Sequence, residues 1–468
     1  MKQASRRNRC FIPCVCVAAA LLVVLRVFAA TLIVDGDGGT PFQTIQSAID
    51  AAVPGQDEVF VRCGVYAENL VMRDDVPLRG QSPDCTVIDG GQQAVTVSMD
   101  DLGSGTRLEG FTVRNGFDSS GAGGGVRILG GSPVITRNVI ENNGQFFVSS
   151  GAGVLVSGLG SLTPTAPVIS YNVIRDNDGF WGAGVLLYYA DGARLTSNLI
   201  VRNAAYYGGG VFARGYGDTA YVTNNTIIGN TAYLGAGLTS YEPTVIVTNN
   251  AIVNNEALIS AGGVWLFYCD ANFANNNVFG NSPDDTTCPV DPTGINGNIS
   301  AEPRFSDQND DGFAGFQPRS DSVMVDAGAV TIMPSKDLRG IPRPVDGTAA
   351  GVARPDMGAR ENEGLTRLFA DAIGDWHWDR GNHIPEDYHV FRGDLGVLRA
   401  TGIYTQDPIT TPGARHFCDI SSSLADIEEP IPGRGYFYLP VAWGSVVGTL
   451  GFDSDLVERP RTLECQGP

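Results

Sequence analysis

A short phrase returns along the middle of the chain at a nearly constant interval, and it limits the possible folds more than any other feature. It runs Asn, a few mostly apolar residues, a polar or small residue, Asn. The copies are Asn138-Val-Ile-Glu-Asn-Asn143, Asn172-Val-Ile-Arg-Asp-Asn177, Asn198-Leu-Ile-Val-Arg-Asn203, Asn225-Thr-Ile-Ile-Gly-Asn230, Asn250-Ala-Ile-Val-Asn-Asn255 and Asn276-Asn-Val-Phe-Gly-Asn281. Gly110-Phe-Thr-Val-Arg-Asn115 is an earlier, degenerate copy, and the start-to-start spacings are 28, 34, 26, 27, 25 and 26 residues. A second phrase, small-x-Gly-apolar, keeps step with it at Gly123–Val126, Gly151–Val154, Gly182–Val185, Gly208–Val211, Gly235–Leu238 and Ala261–Val264. Short β-branched runs bounded by Asn and Gly read as strands and tight bends. The interval is too short for a propeller blade and fits a solenoid whose coils stack about 4.8 Å apart. About nine coils are expected from the repeat count. Asn at the bends is expected to adopt left-handed backbone and to hydrogen-bond the Asn of the next coil.

A solenoid must cover its raw ends. Thr40-Pro41-Phe42-Gln43 is expected to start a capping helix, with Thr40 as N-cap and Gln43 as its capping-box partner. Ile45, Ala48, Ile49 and Ala52 form its apolar stripe, and Pro54-Gly55 ends it.

Of the 468 residues, 51 are acidic and 31 basic. Residues 31–300 contain 11 Arg, 25 Asp and Glu, and neither Lys nor His. So acidic a surface repels phosphate backbones, which excludes nucleic acid as a natural partner. Lys2, Arg6, Arg7 and Arg9 precede an apolar run, Phe11 to Leu25, with small residues at 29–30. This reads as a signal peptide over 1–30, giving an exported protein, secreted or held at the cell surface, with no membrane span in its mature chain. Six cysteines then remain: Cys63, Cys85, Cys269, Cys288, Cys418 and Cys465. An even number in an exported chain points to disulfides. Pairing of neighbours (63–85, 269–288, 418–465) is one of fifteen connectivities, favoured because each pair falls within one structural unit.

Phe42-Gln-Thr-Ile-Gln-Ser-Ala-Ile-Asp-Ala-Ala52, Gly64-Val-Tyr-Ala-Glu-Asn69 and Thr86-Val-Ile-Asp-Gly-Gly91, with the Asn and Gly phrases, resemble the right-handed parallel β-helix proteins of the pectin-lyase-like superfamily. The resemblance covers about 31–300 and implies an all-β fold. It says little about activity, because that superfamily holds lyases, hydrolases, epimerases, esterases and non-catalytic adhesins. Residues 301–362 carry Ala301-Glu-Pro-Arg-Phe305, Asp326-Ala-Gly328, Asp337-Leu-Arg-Gly-Ile-Pro-Arg343 and Pro355-Asp-Met-Gly-Ala-Arg-Glu361. They are similar to the choice-of-anchor Q segment that follows such helices, and here would close the C-terminal end of the solenoid. Residues 363–468 are richer in aromatics, and their alternation resembles a fibronectin type III β-sandwich.

Strand alternation gives directions. If the apolar residue of each Gly phrase points inward, the next column points outward: Arg127, Leu155, Leu186, Phe212, Thr239, Trp265. Two residues further lie Leu129, Ser157, Tyr188, Arg214, Tyr241 and Phe267, and just before the phrase lie Phe180-Trp181, Tyr206-Tyr207 and Tyr233-Leu234. Aromatics flanked by Arg make a platform for sugar rings, so a polysaccharide or glycan is the expected partner. The expected carbohydrate-binding residues are Phe212, Trp265, Phe267, Trp181, Tyr207 and Arg127, with Tyr188, Tyr241 and Arg214 completing the platform. The rival readings are a polysaccharide lyase or glycoside hydrolase and a structural stalk. The motifs that the resemblance would imply for lyases, glycosidases or epimerases are missing. For β-elimination the residues available are Arg214 as base and Tyr188 or Tyr241 as proton donor. One metal pattern stands apart: Asp307, Asn309 and Asp311, followed by Gly312, match the opening of a Ca²⁺ loop, while the twelfth position is Pro318 in place of the bidentate Glu.

Overall fold

A computed structural model describes residues 30–362 apart from 162, 216–218, 242–244, 267–271, 289, 307–311, 332, 346 and 348–352, together with the backbone of the strands between 368 and 443. The repeat folds as a parallel solenoid. Three long walls run along it, of ten, nine and eight strands, with a four-stranded ribbon at one corner. The Asn phrase lies on the nine-stranded wall and the Gly phrase opens six of the strands of the eight-stranded wall. Residues one repeat apart stand over one another: Val126, Val154, Val185, Val211, Leu238 and Val264 form one column. All six are fully buried, and with Ile140, Ile174, Ile200, Ile227 and Ile252 from the facing wall they fill a single axial core.

The bends explain both phrases. Each Asn that opens or closes the first phrase lies inside, and its amide bonds the Asn of the next coil, except at Asn281, where Asp285 takes that place. One ladder runs 138, 172, 198, 225, 250, 276, 298 and a second runs 143, 177, 203, 230, 255, 281. The left-handed backbone falls one residue earlier than expected, at Arg137, Tyr171, Ser197 and Asn224 before the first ladder and at Asp176 and Arg202 before the second. The division of labour is physical: the residue before the Asn turns the chain, and the Asn itself satisfies buried backbone groups. In the Gly phrase the first residue is left-handed, as at Gly208 (φ +65°). The third must lack a side chain. A Cβ at Gly210 would stand 2.6 Å from the Gly237 carbonyl oxygen and 3.1 Å from the Asn230 amide nitrogen.

The N-terminal helix spans Ile45–Ala51 and buries Ile45, Ala48 and Ile49. Thr40 is not its N-cap, and Thr44, which holds that place, makes no side-chain cap bond. The Glu68 carboxylate accepts from the amides of Ile45 and Gln46 at 2.8 and 2.9 Å. The first coil therefore caps the helix, a through-space contact invisible to local spacing.

Residues 301–362 do not simply close the far end. The described residues of this segment run back as a strap over the outer face of the nine-stranded wall. Val139, Val173, Leu199, Val201, Ile228, Ala251 and Val253 point outward from that wall and pack under Phe305, Phe316, Met324, Leu338 and Met357. Asn249 and the backbone of Ala329 exchange hydrogen bonds, and the Ala359 amide donates to Thr226 Oγ1 at 2.9 Å. The strap's motif residues supply its interior: Asp337, Arg343, Asp356, Arg360 and Glu361 are all buried. Cys63 and Cys85 form a disulfide, and Cys288 is disulfide-bonded as well. Beyond the strap, strands at Leu368–Ala370, Trp376–Trp378, Asp387–Asp394, Arg415–Ile420, Ser423–Leu424 and Tyr436–Trp443 form two three-stranded antiparallel sheets. The side chains of the expected sandwich lie outside the described residues.

Candidate functional site

The expected outward column on the eight-stranded wall is in register: Arg127, Leu155, Leu186, Phe212, Thr239 and Trp265 occupy successive rungs. Its middle is nevertheless buried. Leu155, Leu186 and Phe212 are 6%, 3% and 2% exposed. Phe212 is thus not part of a sugar platform. The reason lies in the preceding strand of each coil. Asp178–Trp181, Ala204–Tyr207, Thr231–Leu234 and Glu256–Ser260 form the four-stranded ribbon. The ribbon brings Trp181 over Phe212, with near-parallel rings whose centroids are 6.3 Å apart. Tyr207, Tyr188 and Tyr241 pack round the same cluster.

What remains accessible is a second layer on that cluster. Tyr188 and Arg214 are register partners on adjacent rungs, and the amide of Tyr241 on the next bonds Ala213. Tyr241 meets Phe212 and Trp265 at centroid distances of 5.4 Å each, with planes inclined by 61° and 63°. Rings set edge-on to one another leave faces open, as stacking on a sugar requires. Trp181, Tyr188, Tyr207, Arg214, Tyr241 and Trp265 are all half-buried. Burial raises the Tyr241 phenol above its ordinary pKa, Tyr207 adds to the rise and the Arg214 guanidinium opposes it. Tyr241 therefore stays a hydrogen-bond donor through the neutral range.

Charge at this layer rests on Arg214. Among the described residues it makes no ion pair, whereas eight of the other ten arginines of the coils have a carboxylate partner; Arg73 instead donates to backbone carbonyls and Arg194 lies over the Tyr221 ring. Arg127, expected in the platform, faces Asp118 at 3.5 Å, and its Nε is buried without a hydrogen bond. Phe267 and the Ca²⁺ pattern at Asp307, Asn309 and Asp311 lie outside the described residues. Among the described residues no group of three or more His, Cys, Asp or Glu converges in a way that holds a metal ion.

A second aromatic feature flanks the first. Phe180, Tyr206 and Tyr233 stack along the ribbon with centroids 5.3 and 4.6 Å apart and planes within 11°. Phe147 tilts onto Tyr206 from the loop before, 61% exposed, and Phe146 beside it is 41% exposed. Rings stacked face to face show solvent their edges, so this ladder offers little to a sugar face. The sequence gives the ladder away by its spacing; the contribution of Phe146 and Phe147 has no periodic signal.

Comparison with known proteins agrees with this fold. A family model described as the right-handed beta helix region matches residues 84–227 and 182–301. The chain carries a right-handed β-helix. A stretch of 77 residues is 38% identical to a probable pectinesterase/pectinesterase inhibitor of Arabidopsis thaliana, covering 15% of this chain and 14% of that protein. Among solved structures, a pectin methylesterase mutant in complex with a hexasaccharide matches over 59% of this chain and 93% of the other, at 12% identity and a TM-score of 0.31. A pectin methylesterase from Erwinia chrysanthemi matches over the same shares at 12% identity and a TM-score of 0.28. Among the described residues, no helix is long and apolar enough to cross a membrane.

Proposed function

We propose that this β-helix binds a polysaccharide outside the cell or at its surface, on the aromatic layer of the eight-stranded wall. The observation that carries the reading is Arg214, half-buried and without an ion pair among the described residues, set between Tyr188 and Tyr241 on neighbouring rungs, with Trp265 against Tyr241. Open ring faces hold the CH side of a sugar, and the guanidinium and phenols hydrogen-bond its oxygens. Trp181 and Tyr207 border the same layer, and the buried Phe212 supports it from below. The short match to a probable pectinesterase is in keeping with a polysaccharide ligand. Export rests on the leader-like first thirty residues and is in keeping with the Cys63–Cys85 disulfide. A Ca²⁺ at Asp307, Asn309 and Asp311 belongs to the same proposal, as a loop-organising ion.

The test is a glycan array probed with the full chain, with Trp265→Ala and with Arg214→Ala, each read with and without chelator. Retention of at least one glycan by the wild type, lost in both folded variants, supports the reading. Retention that survives both substitutions refutes it.

A further inference from the structure

The strap is held by a charge arrangement that does not balance. Among the described residues, three carboxylates, Asp337, Asp356 and Glu361, are fully buried within it, and two guanidinium groups, Arg343 and Arg360, are buried with them. Arg343 pairs with Glu361, and Arg360 Nε lies 3.5 Å from Asp337 Oδ2. Asp337 is otherwise satisfied by the amides of Arg339, Ile341 and Glu361. Asp356 is left with no cation of its own. Its carboxylate accepts from the amides of Asp326 and Asn362, while its own amide donates to Glu361 Oε1 at 2.9 Å. A buried carboxylate without a counter-charge is costly, and the usual remedy is a proton.

The same residue sits on the seam between strap and solenoid. The Asp356 carbonyl accepts from Asn224 Nδ2 at 3.1 Å, the Gly358 amide donates to the Asn249 carbonyl at 2.7 Å, and the Ala359 amide donates to Thr226 Oγ1. The groups that the wall presents here, Asn224, Thr226 and Asn249, are all neutral, so they offer Asp356 no compensation. From the strap, Asp326, Arg343 and Glu361 face it, and Asp337 and Arg360 form the neighbouring pair. Further along the wall, Arg137 and Tyr171 also meet the strap, Tyr171 at Ser335 and Lys336 and Arg137 at Gly340.

We propose that the strap is a proton-operated clamp: a proton on the buried Asp356 carboxyl, which has no cation of its own, locks residues 355–361 onto the nine-stranded wall, and its loss loosens that segment. Burial raises the Asp356 carboxyl and the charge of Glu361 raises it further, while the Asn362 and Asp326 amides and the Arg343 guanidinium oppose the rise. The sign follows. A carboxyl raised in the folded state stabilises fully below its ordinary unfolded value, and this contribution disappears as pH rises through the folded value. The clamp is therefore tight in acid and slack towards alkaline pH.

The test is amide hydrogen exchange on the full chain between about pH 5 and about pH 9, corrected for intrinsic exchange. Protection of Gly358 and Ala359 is expected to fall about tenfold or more per deprotonation, while amides of the axial core stay constant. Asp356→Asn, neutral at every pH, should remove that pH dependence. Should the variant not fold, the wild type still decides: dependence confined to the strap supports the clamp. Protection independent of pH, or falling equally in core and strap, overturns it, as does an Asp356→Asn variant that keeps the wild-type dependence.

Discussion

Asn198→Ala removes one rung of an internal ladder, and its cost can be worked from the contacts. Asn198 Oδ1 accepts from the backbone amide and the side-chain amide of Asn172 at 2.9 and 3.0 Å. Its Nδ2 donates to Ile169 O at 2.9 Å, Thr196 O at 3.1 Å and Asn225 Oδ1 at 3.0 Å. The side chain is fully buried, so water cannot replace these bonds. Most partners keep a second hydrogen bond: Asn172 Nδ2 still reaches Ile135 O and Ser170 O, and Asn225 Oδ1 still accepts from the Asn198 amide. The Asn172 amide is the group left without its acceptor. Four of the five lost bonds, taken at about 0.5 kcal/mol each because most partners keep another bond, plus an orphaned buried donor at about 1–3 kcal/mol, give a destabilisation of about 3–5 kcal/mol. Arg202→Ala, which removes an exposed ion pair with Asp176, is the control and should cost under about 1 kcal/mol. Urea unfolding followed by circular dichroism measures both. If Asn198→Ala unfolds within about 1 kcal/mol of wild type, the ladder is not what holds the bends, and the reasoning fails.

Three further outcomes are expected. Phe212→Ala should destabilise by about 3–5 kcal/mol, as a buried aromatic does, whereas Trp265→Ala should cost clearly less; equal losses in thermal unfolding would contradict the two-layer arrangement. Arg214→Ala should move Tyr241 ionisation to still higher pH, since Arg214 is the group opposing the rise, and phenolate absorbance followed against a Tyr241→Phe reference will show whether it does. Replacing both Cys63 and Cys85 by Ser opens a loop of 22 residues and should cost about 3 kcal/mol by calorimetry; no change would mean that the first coils are held without the cross-link.

Much of the fold was legible because each phrase has one physical task. Asn at fixed intervals can only be spent on buried backbone groups, and the Gly phrase is needed wherever one coil's backbone approaches the next. Other features escaped for identifiable reasons. Alternation says which side of a wall a residue faces, but not what covers that side. Phe212 was correctly turned outward yet lies beneath Trp181, delivered by the strand before it. The strap left a mark that local reading passed over. Asn198-Leu-Ile-Val-Arg-Asn203 is apolar at three consecutive positions, so both faces of that strand want burial, and only a cover such as Phe305, Phe316 and Met324 meets the demand. The helix cap was misplaced because its acceptor, Glu68, belongs to another coil.

The tilted rings around Arg214, rather than the stacked ladder beside them, are the proposed sugar surface, and one titration separates the two. An oligosaccharide retained on the array is titrated calorimetrically into the full chain, Tyr241→Ala and Phe147→Ala. The account predicts that Tyr241→Ala weakens binding by about tenfold or more, while the exposed Phe147 can be removed without effect. Loss of affinity in Phe147→Ala with Tyr241→Ala unchanged would place the ligand on the ladder and contradict it.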